Sequence, residues 1–143
     1  MDALHFKNLL QFKNIAHGIS TIRFGRMKNL DRSINMENIK KFLHALKIDE
    51  APVGMEQIHG GNVAIVADNK SSVLADTDGL VTDQKNLPLV VVIADCLPIL
   101  FFDEKKKVIG VAQDGRKGLN ERIIKNTLYK FKTEFGSATS DIF

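Results

Sequence analysis

Ile99-Leu100-Phe101-Phe102, followed by Asp103-Glu104-Lys105-Lys106-Lys107 and then Val108-Ile109-Gly110-Val111-Ala112, is the stretch whose reading decides the fold. Two apolar runs rich in β-branched and aromatic residues flank a short charged segment, which is the pattern of two buried strands joined by a solvated hairpin turn. Upstream, residues 62–67, 79–82 and 89–94 are short apolar segments between turn signals and predict further strands. Pro98 is expected to stop the last of these from running on. Downstream of Gly118, Leu119, Ile123, Leu128, Phe131 and Phe135 recur near helical spacing, with Gly136 as the stop. A second helix is predicted from Asn35, where Ile39, Phe42, Leu43 and Leu46 fall at i, i+3, i+4 and i+7, ending before Pro52. Short strands are expected around His17-Gly18-Ile19-Ser20-Thr21, and residues 140–143 read as the opening of one more. Strand, helix, several strands, helix predicts an α+β domain with a mixed sheet covered by helices.

At 143 residues the chain fits one domain with one core, given roughly 100–200 residues per domain. A 44% hydrophobic and 26% charged composition places it with globular proteins. The longest uncharged apolar run, from Leu87 up to Asp95, falls far short of the roughly 20 residues of a membrane helix. Asp2, His5 and Lys7 stand where a signal peptide would be apolar. Secretion and membrane spanning are therefore not expected. A single cysteine allows no internal disulfide, which points to a reducing cytoplasm. Twenty Lys and Arg against seventeen Asp and Glu leave a charge of only +3, and no basic stripe is interleaved with aromatics. Nucleic acid is not an expected partner.

Cys96 follows directly on the apolar segment Val90-Val91-Val92-Ile93-Ala94-Asp95, and His59 sits in Gln57-Ile58-His59-Gly60-Gly61. Two readings stand side by side: a buried cysteine and a turn histidine, or a Cys/His pair able to act in catalysis or as two legs of a metal site, with Asp95 beside it. Asp76-Thr77-Asp78-Gly79 offers carboxylates to a ligand or simply forms a turn. In Gln113-Asp114-Gly115-Arg116-Lys117-Gly118 a strand runs through two glycines into a helix start, which can present N–H groups and the cations Arg116 and Lys117 to an anion. Arg23 and Arg26, flanking Gly25, can hold phosphate or face solvent.

Taken in order, Gln57-Ile58-His59-Gly60, Asp76-Thr77-Asp78-Gly79-Leu80-Val81-Thr82 and Ala94-Asp95-Cys96-Leu97-Pro98-Ile99-Leu100 resemble the laccase-domain family, also called YfiH-like or peptidoglycan editing factor proteins. His17-Gly18-Ile19-Ser20-Thr21 resembles its N-terminal motif. The resemblance implies a layered α+β sandwich, its mixed sheet flanked by helices, like that of cytotoxic necrotizing factors. It implies a site that acts on purine nucleosides with phosphate by phosphorolysis, or on adenosine by deamination, and in bacteria a role in correcting peptidoglycan precursors. It also implies a metal held by a His, a Cys and a second His, the first two matched by His59 and Cys96, with Asp95 beside them; Asp78, Arg23, Arg116 and Lys117 are the residues expected to meet substrate. Members were first described as copper-dependent polyphenol oxidases. One Cys and four His cannot build several copper centres, so zinc is the expected metal and copper the lesser alternative.

Two departures qualify what the resemblance implies. Gln113 stands where the family's His-Ala-Gly-Trp-Arg-Gly motif places the third ligand, and Arg116 and Lys117 replace that motif's Trp and Arg. An amide is a poor zinc ligand beside imidazole and thiolate, with Asp114 the neighbour able to substitute, and Lys does not reproduce a bidentate guanidinium contact. Family members also continue past the point matching Phe143, so the fold is expected to be incomplete at the C-terminus, with an exposed sheet edge inviting a second copy. Two functions follow: a zinc-assisted nucleoside enzyme, or a catalytically degenerate remnant or binding module that keeps the fold.

Overall fold

The computed structural model describes residues 3–143. The chain forms two compact units, one ending at Glu50 and the other comprising Ala51–Phe143.

In the first unit, helix α1 (Met36–Ala45) starts at Asn35, whose side chain accepts a hydrogen bond from the Asn38 N–H at 3.1 Å. This cap satisfies one of the four N–H groups a helix start leaves open. Ile39 and Leu43, on the predicted stripe, are buried. Phe24, from a single turn over Ile22–Phe24, is buried too and meets Phe42 edge-on at 5.2 Å. Where strands were expected near His17, the backbone forms only an isolated antiparallel bridge between Leu4 and Ile19. His17 spends its ring on a different contact, accepting the Phe6 N–H at Nε2.

The second unit is built on a four-stranded mixed sheet of β2 (Val63–Ile65), β4 (Gly79–Thr82), β6 (Val108–Asp114) and β5 (Leu97–Asp103), in that order. A two-stranded parallel ribbon, β1 (Gly54–Met55) with β3 (Val73–Leu74), was not foreseen from the sequence. The β5–β6 hairpin is present as predicted and longer than predicted, in register from Leu97↔Asp114 to Asp103↔Val108. Its turn is chemically defined: the buried Asp103 carboxylate accepts from the N–H groups of Lys105 and Lys106 at 2.9 and 3.0 Å.

Alternation along β6 gives the sheet two apolar faces. Val108, Ala112, Val81 and Phe101 pack with Ile123 and Phe131 of helix α3 (Ile123–Phe135). Val111 and Leu80 pack on the opposite face with Val53, Met55, Val66 and Leu87. Gln113 therefore shares the face of Val111, and Asp114 points the other way. The result is the layered α+β arrangement expected, a helix on one side of the sheet and the small ribbon on the other.

Three local expectations are corrected. Residues 89–94 form no strand; only Leu89 makes a bridge, to Val53, and Ala94 begins a bend. Their ladder bonds go to a side chain instead, as Gln57 takes both the N–H and the C=O of Val92. Pro98 does not interrupt pairing, since β5 runs straight through it. Phe102 exchanges both backbone bonds with Phe143 on the outer side of β5, so the even-numbered Pro98 also turns its missing N–H to that edge, where the ladder to β6 loses nothing. The single helix expected after Gly118 is two helices that begin earlier, α2 (Arg116–Asn120) and α3, parted where Arg122 adopts a left-handed conformation at φ 61°. Residues 142–143 begin to cover the edge of β5, with Ile142 bridging Asp103. Among the described residues no helix is long and apolar enough to cross a membrane.

Candidate functional site

The loop carrying His59 is held from below by a buried charge. Asp78, at the foot of β4 and fully buried, accepts the N–H groups of His59 at 2.8 Å and Gly60 at 2.7 Å, with a longer contact of 3.3 Å to Ile58. Charge-assisted bonds of this kind are roughly twice as strong as neutral ones, and they allow His59 to sit at φ 62° in the left-handed region. The residue that ends α2 and the first turn of α3 secure the far side. Glu121 accepts the Gly61 N–H at 2.8 Å, and Asn126 Nδ2 donates to the Gly61 carbonyl at 2.8 Å. Gly61 has to be glycine, because a Cβ there would lie 2.6 Å from the Glu121 carbonyl oxygen. The imidazole itself is exposed.

Cys96 immediately precedes β5, and the Leu97↔Asp114 pair brings it beside Gly115 at the end of β6. A Cβ built on Gly115 would lie 2.7 Å from Cys96 Sγ and 3.9 Å from His59 Cδ2. Thiol and imidazole thus border one point, and the absence of a side chain at residue 115 keeps that point open. The residues singled out in sequence as a Cys/His pair are brought together from segments 37 positions apart by strand pairing and by the Asp78 anchor.

Other candidates fall differently. Asp95 is exposed in the bend before Cys96. Asp78, expected to meet substrate, has both carboxylate oxygens committed to backbone N–H groups and acts as the loop's anchor. Arg116 and Lys117 are exposed on α2, with Lys117 Nζ 3.6 Å from Glu121. Arg23 is exposed in the first unit. Gln113 is buried, and its Oε1 accepts a hydrogen bond from Gln57 Nε2, while its own Nε2 has no partner. Gln57, Glu121 and Asn126 were not singled out as working residues from sequence. Gln57 lies within a quoted motif, but its partners, Val92 and Gln113, are 35 and 56 residues away.

Residues 17–143 match the model of a family described as multi-copper polyphenol oxidoreductase laccase. The chain belongs to this laccase-domain, YfiH-like family. Over 137 residues it is 30% identical to a purine nucleoside phosphorylase of Clostridium acetobutylicum, covering 94% of this chain and 57% of the relative. It resembles the crystal structure of the hypothetical protein YfiH of Bacillus licheniformis with a TM-score of 0.70 and 32% identity, over 75% of this chain and 43% of that one. YlmD of Geobacillus stearothermophilus gives a TM-score of 0.73 at 25% identity, over 82% and 48%. The chain therefore spans about half the length of the relatives it matches.

The family description implies a metal, and the donor atoms of this laccase-domain chain can be tested for it. His59 and Cys96 are ligands of the zinc type. The third expected ligand does not fit: Gln113 offers only a neutral amide oxygen, which already accepts from Gln57 and is a weak zinc donor beside imidazole and thiolate. Asp114, the neighbour that was to substitute, lies on the opposite face of β6. Among the described residues no three His, Cys, Asp or Glu side chains converge as a metal site. The described residues do not make a three-ligand zinc centre.

Proposed function

We propose that this chain carries the nucleoside site of a purine nucleoside phosphorylase of the laccase-domain family, centred on Cys96 and His59. The observation that supports it most is the convergence of that thiol and imidazole on the open point at Gly115, in a chain whose relatives are named purine nucleoside phosphorylases. In phosphorolysis an oxygen of inorganic phosphate forms a bond to C1′ of the ribose as the bond from C1′ to the purine nitrogen breaks. The purine leaves with the electron pair and takes up a proton. His59 is the proton carrier at the site, held at its loop by Asp78, and Asp95 is the carboxylate beside Cys96. Arg116, next in sequence to Gly115, and Lys117 are the cations proposed for phosphate.

Zinc dependence, which the resemblance implied, calls for a third strong ligand that the described residues do not provide. The Gln113 amide favours a second reading, in which the site binds nucleoside without turning it over. Inosine and adenosine supplied with phosphate separate these. Release of hypoxanthine and of adenine, lost in Cys96→Ala and in His59→Ala, is the expected result. Conversion of adenosine to inosine would make the reaction deamination. Nucleoside binding without any product would establish the binding module, and neither binding nor product would overturn both readings.

A further inference from the structure

We infer that Gln57 and Gln113 form an amide clasp that joins the parts of the site in place of a metal, and that Gln113 is the single residue keeping this chain from binding zinc tightly. Three segments have to be held together for Cys96 and His59 to share one point: the His59 loop, the extended approach to Cys96, and the end of β6 that carries Gly115. Gln57 reaches all three. It stands two residues before His59 on the loop. Its Oε1 accepts the Val92 N–H at 3.1 Å and its Nε2 donates to the Val92 carbonyl at 2.8 Å, closing a side-chain copy of a β-bridge with the approach to Cys96. The same Nε2 donates its other hydrogen to Gln113 Oε1, and Gln113 stands opposite Pro98, two residues beyond Cys96, on the next strand.

A metal bound by residues 59, 96 and 113 would tie the same three segments. Here neutral hydrogen bonds do so, and the third position offers no strong donor to a cation. An amide nitrogen offers no free lone pair, and a neutral amide oxygen that already accepts from Gln57 is a poor zinc ligand. The buried Nε2 of Gln113 is unpartnered, so replacing this side chain forfeits only its one bond from Gln57. The inference rests on family membership for the identity of the third position, and its test requires no turnover, so it stands or falls separately from the nucleoside reading.

The test is zinc alone, titrated against a chromophoric chelator, into the wild-type chain, Gln113→His, and Gln113→His combined with Cys96→Ala. We expect Gln113→His, which adds a direct ligand, to bind zinc tighter than wild type by more than the roughly 10-fold lower end of what outer-shell changes alone produce, with the gain lost in the double variant. Cobalt(II) in Gln113→His should show the thiolate charge-transfer absorption of a Cys96 ligand, absent from wild type. Should Gln113→His not fold, Gln113→Glu, close in shape and a zinc-type ligand, is expected to bind zinc more tightly than wild type in the same way. For the clasp, Gln57→Met should lower the wild-type melting temperature by several degrees, whereas EDTA should leave it unmoved. Wild type binding zinc as tightly as Gln113→His through Cys96, or a melting temperature that falls with EDTA, would overturn the inference.

Discussion

Asp78 is the residue on which the site depends most, because one carboxylate meets several N–H groups of the His59 loop in a place closed to water. Asp78→Ala leaves those donors buried and unpaired, and is expected to cost about 2–4 kcal/mol, read as a lower urea midpoint at unchanged slope. Gly115→Ala acts differently. Its Cβ would press on Cys96 Sγ, so the variant should lose nucleoside turnover while its stability falls by only about 1–3 kcal/mol, measured by assay and melt on one sample. His17 gives a pH dependence. Its pKa lies below the ordinary 6.5, through burial first and the nearby His5 second, and its Nε2 accepts the Phe6 N–H, which only a neutral ring does. The folded state thus prefers the uncharged form, so the stability His17 contributes is fully present above about 6.5 and is lost as pH falls below it. The loss between pH 7 and pH 5 should be smaller in His17→Gln, followed by urea denaturation at both values. Cys96 and His59 were legible in the sequence because reactive residue types beside an apolar run and before a pair of glycines are local signals. The work of Asp78 and Gln57 was not, since both act through backbone groups that only the folded chain brings near.

At the scale of elements, the hairpin of β5 and β6 was the most legible part of the fold. Its two strands and its turn are contiguous, and the residue that fixes the turn, Asp103, lies within the charged segment itself. Residues 89–94 misled because an apolar run rich in valine has the composition of a strand whether or not a strand pairs with it, and its partner is a glutamine side chain 35 residues earlier. The break between α2 and α3 was hidden for a related reason. Leu119 continues the helical spacing but is exposed, and the turn at Arg122 brings Glu121 and Asn126 to Gly61, a contact no periodicity encodes. The packing of α3 on the sheet centres on Gly110, where a Cβ would meet the Phe131 ring at 2.8 Å. Gly110→Ala should therefore destabilise by about 1–3 kcal/mol, through displacement of a fully buried ring, and Gly110→Val by more. A melting series of the two against wild type checks the order.

For the molecule as a whole, the layered fold and the family were readable from three ordered motifs, and the ribbon of β1 and β3 was not, because each of its strands is only two residues long. What the whole chain contributes is convergence: mixed strand pairing, a buried acid and an amide pair bring a thiol and an imidazole to one open point. Because Cys96 is the chain's only cysteine, its reactivity reports on that point alone. The most direct test is the rate of Cys96 alkylation by iodoacetamide with and without saturating inosine, in wild type and in His59→Ala. Inosine slowing the wild-type reaction several-fold, with the protection lost in His59→Ala, is the predicted result. An alkylation rate indifferent to inosine at every concentration would contradict a nucleoside site at Cys96 and His59.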